Sequence, residues 1–159
     1  MTKAIFPGTF DPITRGHEAL VRRAAAVFDD IIIGVAAGIH KQSFFSLAER
    51  LQMAEYSFRD VTNIRALSFN GLLADFMHAQ QCKVILRGVR VVSDFEFESQ
   101  LADINKALDA QLETIFFLPD RDFIYLSSTM VREVAQLGGN IDQFVAPHVA
   151  AALQAKYCK

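Results

Sequence analysis

The run Ile31-Ile32-Ile33-Gly34-Val35-Ala36-Ala37 decides the fold. It is apolar on both alternating faces and opens with three β-branched residues, the pattern of a strand buried on both sides. Four other short apolar runs read the same way: Lys3 to Phe6 ahead of it, then Asn63 to Phe69, Lys83 to Leu86 and Glu113 to Leu118. Segments of helical period separate them. Gly16 to Phe28 sets Leu20, Val21, Ala24 and Val27 on one stripe, and Leu47 to Phe58 sets Leu47, Leu51, Ala54 and Phe58 on another. Leu72 to Ala79 and Phe95 to Leu108 repeat the pattern, the latter with Phe97, Leu101, Ile104 and Leu108 at spacings of three or four. Gly138-Gly139 reads as a helix stop, and a last amphipathic segment after Pro147 carries Val149, Ala152, Leu153 and Tyr157 on one side. Alternation of this kind predicts an α/β fold: a Rossmann-like, doubly wound, five-stranded parallel sheet with helices on both faces, joined by right-handed crossovers.

The 159 residues predict one domain, 1–159, large enough to fold without a metal clip or disulfide framework. Hydrophobic residues make up 52% and charged residues 21%, with mean hydropathy +0.21, which excludes a chain too polar to collapse. Sixteen basic against eighteen acidic side chains give a charge of −2, so no global positive field draws the chain to nucleic acid or to anionic lipid. Any polyanion must be held locally. Two cysteines, Cys82 and Cys158, are too few for a secreted staple pattern. The longest weakly polar run, Ile31 to Ile39, is far short of the roughly 20 residues that span a bilayer. Pro7, Gly8, Asp11 and Pro12 interrupt the first apolar stretch before it could serve as a signal core. The expectation is a soluble, cytoplasmic protein without nucleic-acid or membrane partners.

In a doubly wound sheet, ligands bind beyond the carboxyl ends of the strands. Pro7-Gly8-Thr9-Phe10-Asp11-Pro12-Ile13-Thr14-Arg15-Gly16-His17 follows the first strand and opens into a helix whose N-terminus favours an anion. Taken alone, it reads equally well as a tight turn with a surface histidine. It has neither the Walker glycine pattern nor a dinucleotide fingerprint. His40-Lys41 follows the second strand, and Arg87-Gly88-Val89-Arg90 the fourth, where a guanidinium fork suits phosphate. Asp94-Phe95-Glu96-Phe97-Glu98 reads as an acidic first helical turn. Ser127-Ser128-Thr129 reads as a helix cap whose hydroxyls could equally bond phosphate. Together, four strand ends offer phosphate-suited groups. No serine or cysteine has a histidine partner in the local sequence, and His17, His40, His78 and His148 are too scattered for metal-ligand spacing. A nucleotide-sensing module without turnover remains an alternative. A flavodoxin-like electron carrier fits less well, because the first turn lacks a hydroxyl-rich phosphate loop.

Thr14-Arg15-Gly16-His17 resembles the histidine signature of the nucleotidylyltransferase superfamily, and Ser127-Ser128-Thr129-Met130-Val131-Arg132 resembles its serine-rich second signature. Phe6 to Pro12, Arg87-Gly88-Val89-Arg90 and Asp94 to Glu98 are similar to the bacterial phosphopantetheine adenylyltransferases, in order and spacing, from about residue 3 to the C-terminus. The resemblance implies transfer of the adenylyl group of ATP to 4′-phosphopantetheine, giving dephospho-coenzyme A and pyrophosphate. It also implies Mg2+ and a cytoplasmic homohexamer. By the same resemblance Thr9, Lys41, Leu73 and Arg87 would hold the acceptor. ATP would lie against Thr9, Phe10, His17, Gly88, Val89, Arg90 and Glu98, with Phe123, Ile124, Tyr125, Leu126, Ser127, Ser128 and Thr129 closing over it. His17, Lys41 and Arg90 would be catalytic, with His17 stabilising the transition state. No protein metal ligand is implied, since few carboxylates lie near the strand ends and ATP oxygens would carry the ion. Phe97 and Phe123 depart from the family, which often has tyrosine at the first position and tryptophan or tyrosine at the second. Within the superfamily, the alternative is an adenylyltransferase for another phosphorylated acceptor such as nicotinate mononucleotide.

Overall fold

A computed structural model describes residues 1–38 and 42–157. Five strands, β1 (Lys3–Gly8), β2 (Asp30–Ala36), β3 (Ile64–Phe69), β4 (Val84–Gly88) and β5 (Glu113–Phe117), pair in parallel in the order β3-β2-β1-β4-β5. The helices are α1 (Arg15–Ala24), α2 (Leu47–Ser57), α3 (Leu73–Ala79), α4 (Val92–Leu108), α5 (Ser128–Gln136) and α6 (Pro147–Tyr157). The chain winds outward from β1 through β2 to β3, then returns to the other side of β1 with β4. That reversal opens a crevice at the carboxyl ends of β1 and β4. Alternate residues of the central strands bury on opposite faces, as the two-sided apolar pattern requires. Ala4, Phe6, Ile31 and Ile33 join the larger core with residues of α1, α2, α5 and α6, whereas Ile5, Ile32 and Ile85 meet Ala74 and Met77 of α3 on the other face.

Three expectations shift. β1 and β4 run two residues further than their apolar runs, because the ladder continues through Pro7↔Gly34, Gly8↔Val35, Arg87↔Phe116 and Gly88↔Phe117. Arg87 and Gly88 are therefore the last strand residues, and Gly88 leaves room for Leu20 Cδ1, 2.7 Å from where a Cβ would stand. Helix α1 ends at Ala24 in a tighter turn, with Val27 N–H bonded to the Ala24 carbonyl, so Val27 is exposed and only Phe28 turns inward. Helix α4 starts three residues early, at Val92, and is rotated: buried Glu98 and half-buried Asp94, Leu101 and Asn105 face inward at spacings of four, three and four. Phe97, Ile104 and Leu108, expected on the packed stripe, are exposed. The cause is polar, since Glu98 is drawn inward by Arg87.

Candidate active site

A cavity of about 880 Å³ opens over the carboxyl ends of the strands, reached by residues that follow all five of them. His17 lines it and sits at the third position of α1. Thr14 caps that helix, and its backbone N–H donates to His17 Nδ1 at 3.0 Å, with the Thr14 hydroxyl 3.1 Å from the same nitrogen. This is a capping box with histidine in the place usual for glutamate. An Nδ1 that accepts the cap N–H holds no proton, so neutral His17 carries its proton on Nε2. Phe10 packs edge-on against the ring at 5.1 Å. Burial, then the charges of Arg90 and Arg87, lowers the His17 pKa from 6.5 to about 4. His17 is therefore a neutral Nε2–H donor at pH 7.

The basic side chains are held by specific partners. Arg87 Nε donates to Glu98 Oε2 at 2.6 Å, Nη2 donates to Oε1, and Nη1 donates to the Pro7 carbonyl at 2.8 Å. Three of its five N–H groups are thereby taken and two are left for a ligand. Arg90 Nε donates to Asp94 Oδ2 at 3.1 Å and its Nη1 to the Leu126 carbonyl at 2.9 Å, which ties the end of β4 to the segment before α5. On α5, Ser127 Oγ accepts the Met130 N–H at 3.2 Å and is a helix cap; Ser128 Oγ donates to the Pro12 carbonyl at 2.7 Å. The Ser128–Pro12 bond brings the positive end of α5 beside the turn that carries His17.

Of the residues that the resemblance assigns, Thr9, Phe10, His17, Leu73, Arg87, Gly88, Arg90, Phe123, Leu126, Ser127, Ser128 and Thr129 line the cavity. Val89, Glu98, Ile124 and Tyr125 do not. Val89 and Glu98 are buried, the latter behind Arg87, and Tyr125 is exposed. Lys41, with His40, lies outside the described residues, as does Cys158. Cys82 is buried away from the cavity. Arg132 is an additional cation that the sequence reading left unassigned: it lines the cavity, donates to the Asp11 carbonyl, and stands 3.8 Å from the Asp11 carboxylate. Its signal was the serine-rich signature itself, whose last residue returns one turn later to the mouth of α5.

The His17 imidazole is expected to titrate near pH 4 in the folded protein, readable from its ring NMR signals against pH. As pH falls from 6.5 toward 4, the unfolded chain binds a proton that the folded chain refuses, so stability declines across that window. A midpoint at the ordinary value would remove the buried, neutral imidazole.

A cytidylyltransferase-like family model matches residues 5–134. A phosphopantetheine adenylyltransferase of Azoarcus sp. is 50% identical over 153 residues, covering 96% of this chain and 94% of that protein. One from Thioalkalivibrio sulfidiphilus is 51% identical over 153 residues, covering 96% of each. Among solved structures, a bifunctional NMN adenylyltransferase/ADP ribose pyrophosphatase from Francisella tularensis superposes with a TM-score of 0.76 at 15% identity, over 99% of this chain and 50% of that one; it shares the fold. With half its residues identical over nearly its whole length, the chain belongs to the phosphopantetheine adenylyltransferase family, within the cytidylyltransferase-like group.

Proposed function

We propose that the cavity performs adenylyl transfer from ATP to 4′-phosphopantetheine by direct in-line attack. An acceptor phosphate oxygen forms a bond to the α-phosphorus as the bond to the bridging oxygen breaks, and pyrophosphate leaves with that electron pair. No enzyme nucleophile is needed, so positioning and charge stabilisation carry the rate. The observation that supports this reading above the rest is the neutral His17 Nε2–H in a cavity flanked by Arg87, Arg90 and Arg132. Negative charge that builds on the α-phosphoryl oxygens meets a donor that keeps its Nε2 proton and needs no reorganisation. Arg87 offers its two spare N–H groups to the acceptor phosphate, and Thr9, Leu73 and Lys41 are the further acceptor-binding residues of this reading. Arg90 and the amino end of α5 face ATP, with Phe123 against the nucleotide.

Magnesium, when bound with ATP, neutralises phosphate charge. The donor set fits an ion carried by phosphate oxygens: Asp11, the carboxylate that lines the cavity, is committed to the N–H groups of Phe44 (2.7 Å) and Phe45 (2.8 Å). Among the described residues no group of three His, Cys, Asp or Glu side chains is placed to cage a metal.

The reading is tested by pyrophosphate release with ATP, magnesium and either 4′-phosphopantetheine or nicotinate mononucleotide. Turnover with the first acceptor alone is expected. Preference for the second would overturn the acceptor assignment, and no turnover with either would favour a sensor. The protein is further proposed to work in the cytoplasm; among the described residues no helix is long and apolar enough to cross a membrane.

Assembly into a homohexamer belongs to the same reading, and the exposed apolar stripe of α4, with Phe97, Ile104 and Leu108, supports self-association. Ile104→Asp is expected to dissociate the assembly in sedimentation. Phe97 is 60% exposed and turned from the cavity, so Phe97→Tyr is expected to leave activity intact; a loss beyond about tenfold, or about 1.4 kcal/mol, would place that ring in the site.

A further inference from the structure

Arg50, one turn into α2, is 1% exposed, and its surroundings are backbone. Nη1 donates to the carbonyls of Thr9 and Ala36, each at 2.7 Å, Nε to that of Phe45 at 3.1 Å and Nη2 to that of Ala37 at 3.3 Å. Among the described residues no carboxylate forms an ion pair with it. Burial works against its charge, and the nearby Asp11 favours it. If only volume were required, a leucine or methionine would fill the space without a desolvated cation. What a guanidinium adds is a rigid fork that gathers the ends of β1 and β2 and the entry to α2 at one point.

A trans peptide is planar, with its carbonyl and the following N–H on opposite sides. The Ala36 peptide illustrates this, its carbonyl on Arg50 and the Ala37 N–H on the Phe69 carbonyl at 2.8 Å. Fixing the carbonyls of Thr9 and Ala37 toward Arg50 therefore turns the N–H groups of Phe10 and Gly38 away from it, and both residues line the cavity. Among the described residues the Phe10 N–H has no hydrogen-bond partner. Phe10 also holds φ at 49°, a left-handed conformation that a bulky residue keeps only where its surroundings enforce it.

We propose that Arg50 is a positioning residue for adenylyl transfer: it holds the Thr9–Phe10 and Ala37–Gly38 peptides with their N–H groups turned into the cavity as donors to substrate phosphate. The proposal rests on the adenylyl-transfer reading, so wild-type turnover is measured beside every variant. With both Arg50→Gln and Arg50→Lys confirmed folded by circular dichroism and thermal melting, Arg50→Gln is expected to lose about 10²-fold in kcat/KM, the scale of an ångström misplacement at a phosphate. Lysine should recover part of that loss. In the wild type, inorganic pyrophosphate is expected to shift the Phe10 amide in a ¹H–¹⁵N spectrum, and in Arg50→Gln that shift should shrink.

A role in packing alone would lower the melting temperature and leave kcat/KM of the folded enzyme unchanged, which would overturn the proposal. A Phe10 amide that does not respond to pyrophosphate in the wild type would overturn it as well, and that arm decides even if neither variant folds. Absence of wild-type turnover overturns the adenylyl-transfer reading instead, and the amide response then still judges Arg50.

Discussion

His17→Ala is expected to lower kcat by about 10²- to 10³-fold, the size of the loss when one preorganised donor to a developing oxyanion is removed. Both KM values should move little, because the Nε2–H serves charge that appears only as the α-phosphorus is attacked. The geometry makes the test sharper than alanine alone. Thr14 N–H holds Nδ1 at 3.0 Å and so directs Nε2 as the donor. His17→Asn offers an amide donor on a shorter stem and should recover only part of the rate. With a folded pKa of about 4, the wild-type kcat should also show no inflection near 6.5 that belongs to this residue. A His17→Ala enzyme with near-normal kcat would take His17 out of the mechanism.

Arg87→Ala is expected to produce two losses with different causes. The acceptor KM should rise by about one to two powers of ten, since a charge-assisted phosphate contact contributes about 1.5–3 kcal/mol, while the ATP KM changes much less. Stability should fall as well, by about 3 kcal/mol, because Glu98 is 8% exposed and loses its only ion-pair partner among the described residues. Adding Glu98→Ala to Arg87→Ala should restore much of the melting temperature and none of the acceptor affinity. Arg90→Ala should instead damage ATP use and kcat, because the proposed reading gives Arg90, held by Asp94 and the Leu126 carbonyl, to the nucleotide. Lysine at either position should rescue only in part, as a point charge lacks the two-pronged fork. Equal changes in both KM values for both alanine variants would mean one shared clamp.

The amino-acid sequence by itself determined the layers. Runs apolar on both faces, such as Ile31 to Ala37, can be satisfied only between two layers of helix, and alternation with helical segments forces parallel pairing. It also located the chemistry at strand ends, because turn formers, glycines and cations follow the apolar runs; the likeness of Thr14 to His17 and of Ser127 to Arg132 to known signatures pointed to nucleotidyl transfer, and that of Phe6 to Pro12, Arg87 to Arg90 and Asp94 to Glu98 to the acceptor. What lies in one continuous stretch of chain was legible. Only the tertiary structure decided which groups are spare and which are spent, since that depends on partners distant in sequence. Glu98 looked like one acid in a helical first turn until Arg87 drew it inward and rotated α4, exposing Phe97. Arg132 stood only as the last residue of the serine-rich signature, with no role of its own, and it reaches the Asp11 carbonyl, 121 residues away. Arg50 carried no signal in the chain, because periodicity tells which face a side chain takes and not whether four carbonyls converge there. Hydrogen-bond saturation is a property of the assembled fold, and it sets which donors remain free for phosphate.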